Sequence, residues 1–237
     1  MAIDESLLIS RKKLNFDTLR LYTWSKPCIT IGRQVRVDEV IDISEAKSLG
    51  IEIIRRISGG GPVLHEPKLE ITYAYVTTVD KFHSARETLM SEIARGIVKG
   101  LELMNIENVR AIQGGNVLVG NRKISGAAQR IEGKFILQHG TLLIGFRPEI
   151  WVRIFKYHRN LDSSDLKNYI VTLQELIPSV DLEIVIRSLV KGFSIALDIE
   201  LEKEEMTSYE KDLAFKLARC RYRNEKWNIN GEDIYCF

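Results

Sequence analysis

Two stretches hold the side chains best suited to chemistry. Residues 55–66 read RRISGGGPVLHE: two arginines and a serine run into Gly59, Gly60 and Gly61, and the segment ends in His65 and Glu66. Three successive glycines permit positive φ and leave backbone N–H groups uncovered, so an anion such as phosphate can approach the main chain. Arg55 and Arg56 could place forked cationic donors beside it. The same pattern also suits a tight loop between strands with two solvated arginines. It is neither a Walker A loop, because no Lys-Ser/Thr follows at the required spacing, nor a dinucleotide fingerprint, because a strand comes next.

The second stretch, GNRKISGAAQ at 120–129, sets Lys123 on a hairpin strand beside Arg122. Ser125, Gly126, Ala127 and Ala128 follow, small residues that leave room for something beside the strand. A lysine presented into a pocket can stabilise charge developing on a carboxylate or phosphate oxygen. An exposed strand lysine, the commoner case, does nothing of the kind. The cysteines, Cys28, Cys220 and Cys236, are far apart and include no CxxC pair. Neither a disulfide framework nor a zinc site is expected, and the pattern fits a reducing cytoplasm.

The elements that must position these residues follow from periodicity. Residues 2–12 form an amphipathic helix, and 18–24 and 28–33 form strands joined by a turn at Ser25-Lys26-Pro27. A short helix at 42–50 has Asp42 or Ser44 as its cap and Gly50 as its stop. Strands follow at 51–58, 61–66 and 69–79, then a helix from Ser84 to about Met104 with Ala85, Leu89, Ile93, Ile97 and Leu101 on one face. Residues 109–146 are strand-rich, with two-residue turns at Gly120-Asn121 and Glu132-Gly133. From Glu149 the pattern is helical. Strands and helices come in blocks, so the fold class is α+β, a largely antiparallel or mixed sheet with flanking helices.

The chain has 237 residues, 45% hydrophobic and 28% charged, with a net charge of +2. That composition belongs to an ordinary soluble domain and gives no ground for nucleic acid or a membrane as partner. The N-terminus lacks a cationic n-region, so no signal peptide is expected, and no apolar run approaches the roughly 20 residues of a spanning helix.

Taken together, the two motifs resemble the lipoate-protein ligases, within the fold shared with biotin ligases and octanoyltransferases. Arg55 through Glu66 match the family's arginine-arginine-x-serine-triple-glycine segment, and Gly120 through Gly126 its lysine hairpin. MAIDESLL, TIGR, QHGTLLI and LARCRYRNEKWN extend the likeness over nearly the whole chain, read as one catalytic domain over 1–237 without the family's small C-terminal domain. The resemblance implies that ATP, with Mg²⁺, activates lipoate or octanoate to an acyl-adenylate, whose acyl group passes to a lysine of a lipoyl domain. The acceptors it implies are the E2 subunit of 2-oxoacid dehydrogenases or the glycine cleavage H protein, with a separate accessory subunit as a further partner. It implies Lys123 as the catalytic residue and no protein metal ligand. Substrate or adenylate contacts would come from Arg55, Ser58, Gly59, Gly60, Gly61, Val63 and His65, and from Asn116, Ser125, Gly126, His139, Gly140 and Thr141. His65 equally suits a structural role.

Three departures matter. Val117 follows Asn116 where the family often has an aspartate that handles metal or nucleotide. Pro67-Lys68-Leu69-Glu70 replaces a glycine-asparagine-leucine-asparagine loop near the acyl tunnel. The chain ends at Phe237, soon after Trp227-Asn228. The alternatives are an octanoyl or lipoyl transferase fed by a carrier thioester, or a non-catalytic lipoate-binding subunit. The transferase would need an activated thiolate in the pocket. No cysteine lies between Lys123 and Arg219, and Cys28, in an apolar strand, reads as an inert thiol.

Overall fold

The computed structural model describes residues 1–82, 86–158 and 160–237. Helix α1 (Ala2–Arg11) leads into β1 (Thr18–Tyr22) and β2 (Cys28–Ile31). The short α2 (Val37–Val40) and α3 (Ile43–Ser48) follow; Asp42 caps α3 by accepting from the Glu45 backbone N–H. Strands β3 (Glu52–Arg55), β4 (Val63–His65) and β5 (Glu70–Thr78) precede α4 (Arg86–Glu102). Then come β6 (Val109–Ala111), β7 (Val117–Val119), β8 (Arg122–Glu132) and β9 (Phe135–Leu143). The C-terminal third holds α5 (Pro148–Ile154), α6 (Ser163–Leu166), α7 (Leu173–Leu176), α8 (Leu182–Leu197) and α9 (Ser208–Leu217).

Six strands form an antiparallel sheet in the order β1-β5-β9-β8-β7-β6, and β3-β2-β4 form a second sheet. The β2–β3 pair is parallel, β2–β4 antiparallel. The α+β class with a largely antiparallel sheet and flanking helices is therefore what the chain adopts.

Strand β5 explains why its alternation is only partial. Ile71, Tyr73 and Tyr75 face a core shared with Leu89, Ile93 and Ile97 of α4 and Leu189 and Phe193 of α8. Ala74 and Val76 face the opposite side, against Leu7 and Leu8 of α1 and Trp227. Both faces are covered, so both must be apolar. Helices α4 and α8 touch almost backbone to backbone: a Cβ on Gly192 would fall 2.3 Å from the Gly100 nitrogen, and one on Gly96 would fall 2.3 Å from the Phe193 ring.

Several boundaries differ from the sequence reading. Strand β1 stops at Tyr22 because only Thr18–Tyr22 pair with β5. The 51–58 and 61–66 strands shrink to Glu52–Arg55 and Val63–His65, the residues that pair with β2. The second hairpin turns at Gly133-Lys134, because Glu132 pairs with Phe135 and Gly133 takes φ +62°. The expected start of α4 at Ser84 and Ala85 lies outside the described residues. Cys220 and Cys236 are joined as a disulfide, contrary to the expectation of unpaired cysteines. The pairing was illegible in sequence because two π-helical turns, Ala218–Tyr222 and Lys226–Asn230, fold the tail back on itself. Among the described residues no helix is long and apolar enough to cross a membrane.

Candidate active site

The triple-glycine loop owes its place to a glycine on a neighbouring segment. A Cβ on Gly32, just past β2, would lie 2.0 Å from the Gly60 carbonyl oxygen. Two bonds fix the approach: Arg33 N–H donates to Ser58 O at 2.8 Å, and Arg56 N–H to Ile31 O at 2.8 Å. Of the three loop glycines only Gly60 takes positive φ, at +89°.

The paired arginines diverge. Arg55 turns away from the glycines, and its Nη1 donates to the carbonyls of Gly32, Arg33 and Val35 at 3.1, 3.0 and 2.7 Å. Its Nε and Nη2 donate to Trp227 O at 2.9 Å and Ile229 O at 3.1 Å. Arg56 instead folds under the loop, with Nη2 donating to Gly59 O at 2.7 Å and Gly61 O at 3.0 Å. Its Nη1 donates to Thr30 Oγ1 at 2.9 Å and its Nε to Ser58 Oγ at 3.3 Å. Arg56 is 4% exposed, and among the described residues no carboxylate pairs with it. Burial lowers its pKa to about 10, still charged at neutral pH.

Two histidine relays meet at Arg56. In the first, Thr30 Oγ1 lies 2.7 Å from His65 Nε2, and His65 Nδ1 lies 2.5 Å from Glu70 Oε1. Glu70 also accepts from Thr72 Oγ1 at 3.0 Å, Trp24 Nε1 donates to Thr72 at 2.8 Å, and the Trp24 ring stacks on His65 at 4.2 Å between centroids. In the second, Ser58 Oγ lies 2.6 Å from His139 Nε2, and His139 Nδ1 lies 3.1 Å from Asp4 Oδ2. Burial lowers the His139 pKa and keeps the imidazole neutral. Burial alone would raise that of Asp4, but the amino terminus, the His139 hydrogen bond and Arg20 outweigh it and hold the carboxylate well below its usual range.

Lys123 is aimed by an irregularity. The β7–β8 register shifts between Val117 and Leu118, which pair with Ser125 and Lys123. Such a bulge re-aims the side chains beside it. The Lys123 backbone is clamped from the other side, its N–H donating to Tyr169 O at 2.7 Å and its carbonyl accepting from Val171 at 3.0 Å. The ammonium folds over Gly126: a Cβ there would lie 2.7 Å from Nζ and 3.4 Å from Asn116 Oδ1. The residue as a whole is open to solvent, yet burial of its charged end lowers its pKa.

These parts surround a cavity of about 280 Å³, at the small end of ligand sites. Of the residues expected at the site, Lys123, Gly60, Gly61, Val63, His65, Gly126, His139, Gly140 and Thr141 line it. Arg55, Ser58, Gly59, Asn116 and Ser125 do not; Ser58 stands behind His139, and Ser125 Oγ is buried without a hydrogen-bond partner. Arg56, the second arginine of the glycine-loop motif, also lines the cavity, as do Thr30, Thr72, Trp151, Tyr157 and Ile170, which no local motif in the sequence singles out. Periodicity could at most have marked Thr30 as a polar residue in an apolar strand.

The cavity's walls are mostly apolar and hold no thiol. Cys28 is 5% exposed, and burial pushes its pKa up to about 12. Among the described residues no three His, Cys, Asp or Glu side chains cluster to hold a metal ion. The acids behind the cavity, Glu70 and Asp4, are committed to His65 and His139. Among the described residues the side chains at the cavity therefore do not fit a Mg²⁺ site.

The chain resembles the octanoyltransferase LipM of Clostridioides difficile, at 30% identity over 96% of this chain and 93% of that protein. It also resembles LipM of Bacillus subtilis, at 26% over 96% and 92%. Its fold matches a bi-partite lipoate protein ligase from Thermoplasma acidophilum with a TM-score of 0.86, 22% identity and coverage of 98% of this chain and 91% of that one. A lipoate-protein ligase A bound with ATP matches with a TM-score of 0.83, again at 22%, over 98% and 93%. A family profile described as the lipoyl protein ligase A/B catalytic domain matches residues 1–194; the chain belongs to that family.

Proposed function

We propose that residues 1–237 act as one catalytic domain that transfers an octanoyl or lipoyl group from a carrier thioester to the lysine of a lipoyl domain, on an E2 subunit or the glycine cleavage H protein. The observation that carries this reading is the cavity. Its apolar walls suit an aliphatic chain, and Lys123 and Arg56 supply positive charge where an acyl carbonyl gains negative charge. Likeness to octanoyltransferases along nearly the whole chain supports a thioester donor. The cytoplasmic setting belongs to the same reading through its carrier-protein and lipoyl-domain partners, since the Cys220–Cys236 disulfide removes the cysteine argument for it.

One observation favours a second donor. No thiolate is available in the cavity, and an acyl-adenylate made from ATP requires none. Both donors end in the same amide, and one experiment separates them. A lipoyl domain is incubated with octanoyl carrier protein, or with octanoate and Mg²⁺-ATP, each with and without a candidate accessory subunit, and its mass is read. Octanoylation from the carrier alone supports the transferase; octanoylation only with ATP supports the ligase. Octanoate binding without modification in any arm would make the chain a binding subunit.

A further inference from the structure

The relay Thr30–His65–Glu70 has the arrangement of a hydroxyl nucleophile, its base and the carboxylate that orients the base. Thr30 Oγ1 and His65 Nε2 are 2.7 Å apart, and His65 Nδ1 and Glu70 Oε1 are 2.5 Å apart. Glu70 accepts a hydrogen bond from His65 Nδ1–H and so leaves Nε2 as the acceptor for the threonine hydroxyl. Arg56 Nη1 donates to the same hydroxyl oxygen at 2.9 Å, which favours the charge an attacking alkoxide carries. Thr30 and His65 both belong to the cavity wall, as does Lys123. The companion relay, Ser58–His139–Asp4, has the same order of groups, but Ser58 does not reach the cavity.

We propose that Thr30 takes the place of a cysteine and carries the acyl group as an ester between donor and acceptor. This rests on the thioester-donor reading above. In the first half-reaction Thr30 Oγ1 attacks the thioester carbonyl while its proton passes to His65 Nε2. The C–S bond breaks, and the proton leaves with the carrier as its thiol. In the second, the neutral amine of the acceptor lysine attacks the Thr30 ester. His65 accepts a proton from the nitrogen and returns it to Thr30 Oγ1 as the C–O bond breaks, leaving an amide and the free hydroxyl. The carbonyl oxygen is negative in both tetrahedral intermediates, where the Lys123 ammonium offsets it. Thr30 is 1% exposed, so the acyl carbonyl reaches it only through the cavity, and bulk water does not compete for the ester.

The test is intact-protein and peptide mass spectrometry after mixing the full chain with octanoyl carrier protein and quenching in acid. One octanoyl group on the peptide containing Thr30 is expected. Thr30→Val should lose that adduct and lower transfer to a lipoyl domain by at least about 10²-fold, with Thr30→Ser retaining both. p-Nitrophenyl octanoate gives a second readout: a stoichiometric burst of p-nitrophenolate in the wild type and in Thr30→Ser. The proposal is overturned if the wild type octanoylates the lipoyl domain from the carrier with no ester on Thr30 and no burst, or if folded Thr30→Val transfers at the wild-type rate. That outcome leaves the transferase reading standing, whereas neither ester nor transfer from the thioester removes both.

Discussion

At the scale of single residues, the site depends on charges held away from water. Lys123→Ala should reduce transfer by roughly 10²- to 10³-fold, because a preorganised electrostatic contact is lost while little packing is; circular dichroism should show an unchanged fold. Burial lowers the Lys123 pKa from its ordinary 10.5, so its charge is lost at a lower pH than that of a free lysine. Transfer should therefore fall on an alkaline limb below pH 10.5, and a pH–rate profile of Lys123→Arg should show that limb moved upward. Asp4 works in the opposite sense. Its folded-state pKa lies well below the ordinary 3.8, so it contributes stability above that pH and loses the contribution as pH falls through and beneath it. Acid unfolding of Asp4→Asn should be less steep below about pH 4 than that of the wild type.

The elements show how far residue types alone could lead. Lys123 on a hairpin strand and the glycine loop between strands were legible, because turn residues and strand patterns are local signals. The roles of Arg55 and Arg56 were not, since adjacent side chains on an extended backbone point to opposite sides and only the tertiary neighbours decide which side is the site. Arg56 lines the cavity, while Arg55 ties the segment 227–229 to the loop 32–35. Glu70 falls in the strand expected at 69–79 and begins β5, but its role in orienting His65 had no local signal. The bulge that aims Lys123 had no signature at all. Arg55→Met should leave five carbonyls without that donor, and each buried acceptor left unpaired costs about 1–3 kcal/mol. Urea unfolding should show a loss of several kcal/mol, with faster proteolysis of the C-terminal segment. Gly32→Ala should displace the glycine loop and depress transfer more than it depresses the melting temperature, because the clash is with the Gly60 carbonyl.

Across the whole molecule, the antiparallel sheet serves as the floor of the cavity and the smaller sheet as the wall that carries Thr30, Val63 and His65. The block pattern of strands and helices made that class legible. The pairing of Cys220 with Cys236 and the return of the tail onto Arg55 were set by long-range folding that no local pattern encodes. Because Cys28 is buried and protonated and the other two cysteines are paired, a variant with all three changed to serine should keep its transfer activity wherever it folds. On the proposed function, this cavity moves an acyl group from a carrier thioester to a lysine. The most direct measurement is the mass of a lipoyl domain after incubation with the chain and octanoyl carrier protein, with no ATP present. One octanoyl group on the acceptor lysine is expected, formed at a rate that falls with Lys123→Ala. An unmodified domain here, alongside octanoylation when octanoate and Mg²⁺-ATP replace the carrier, would contradict it.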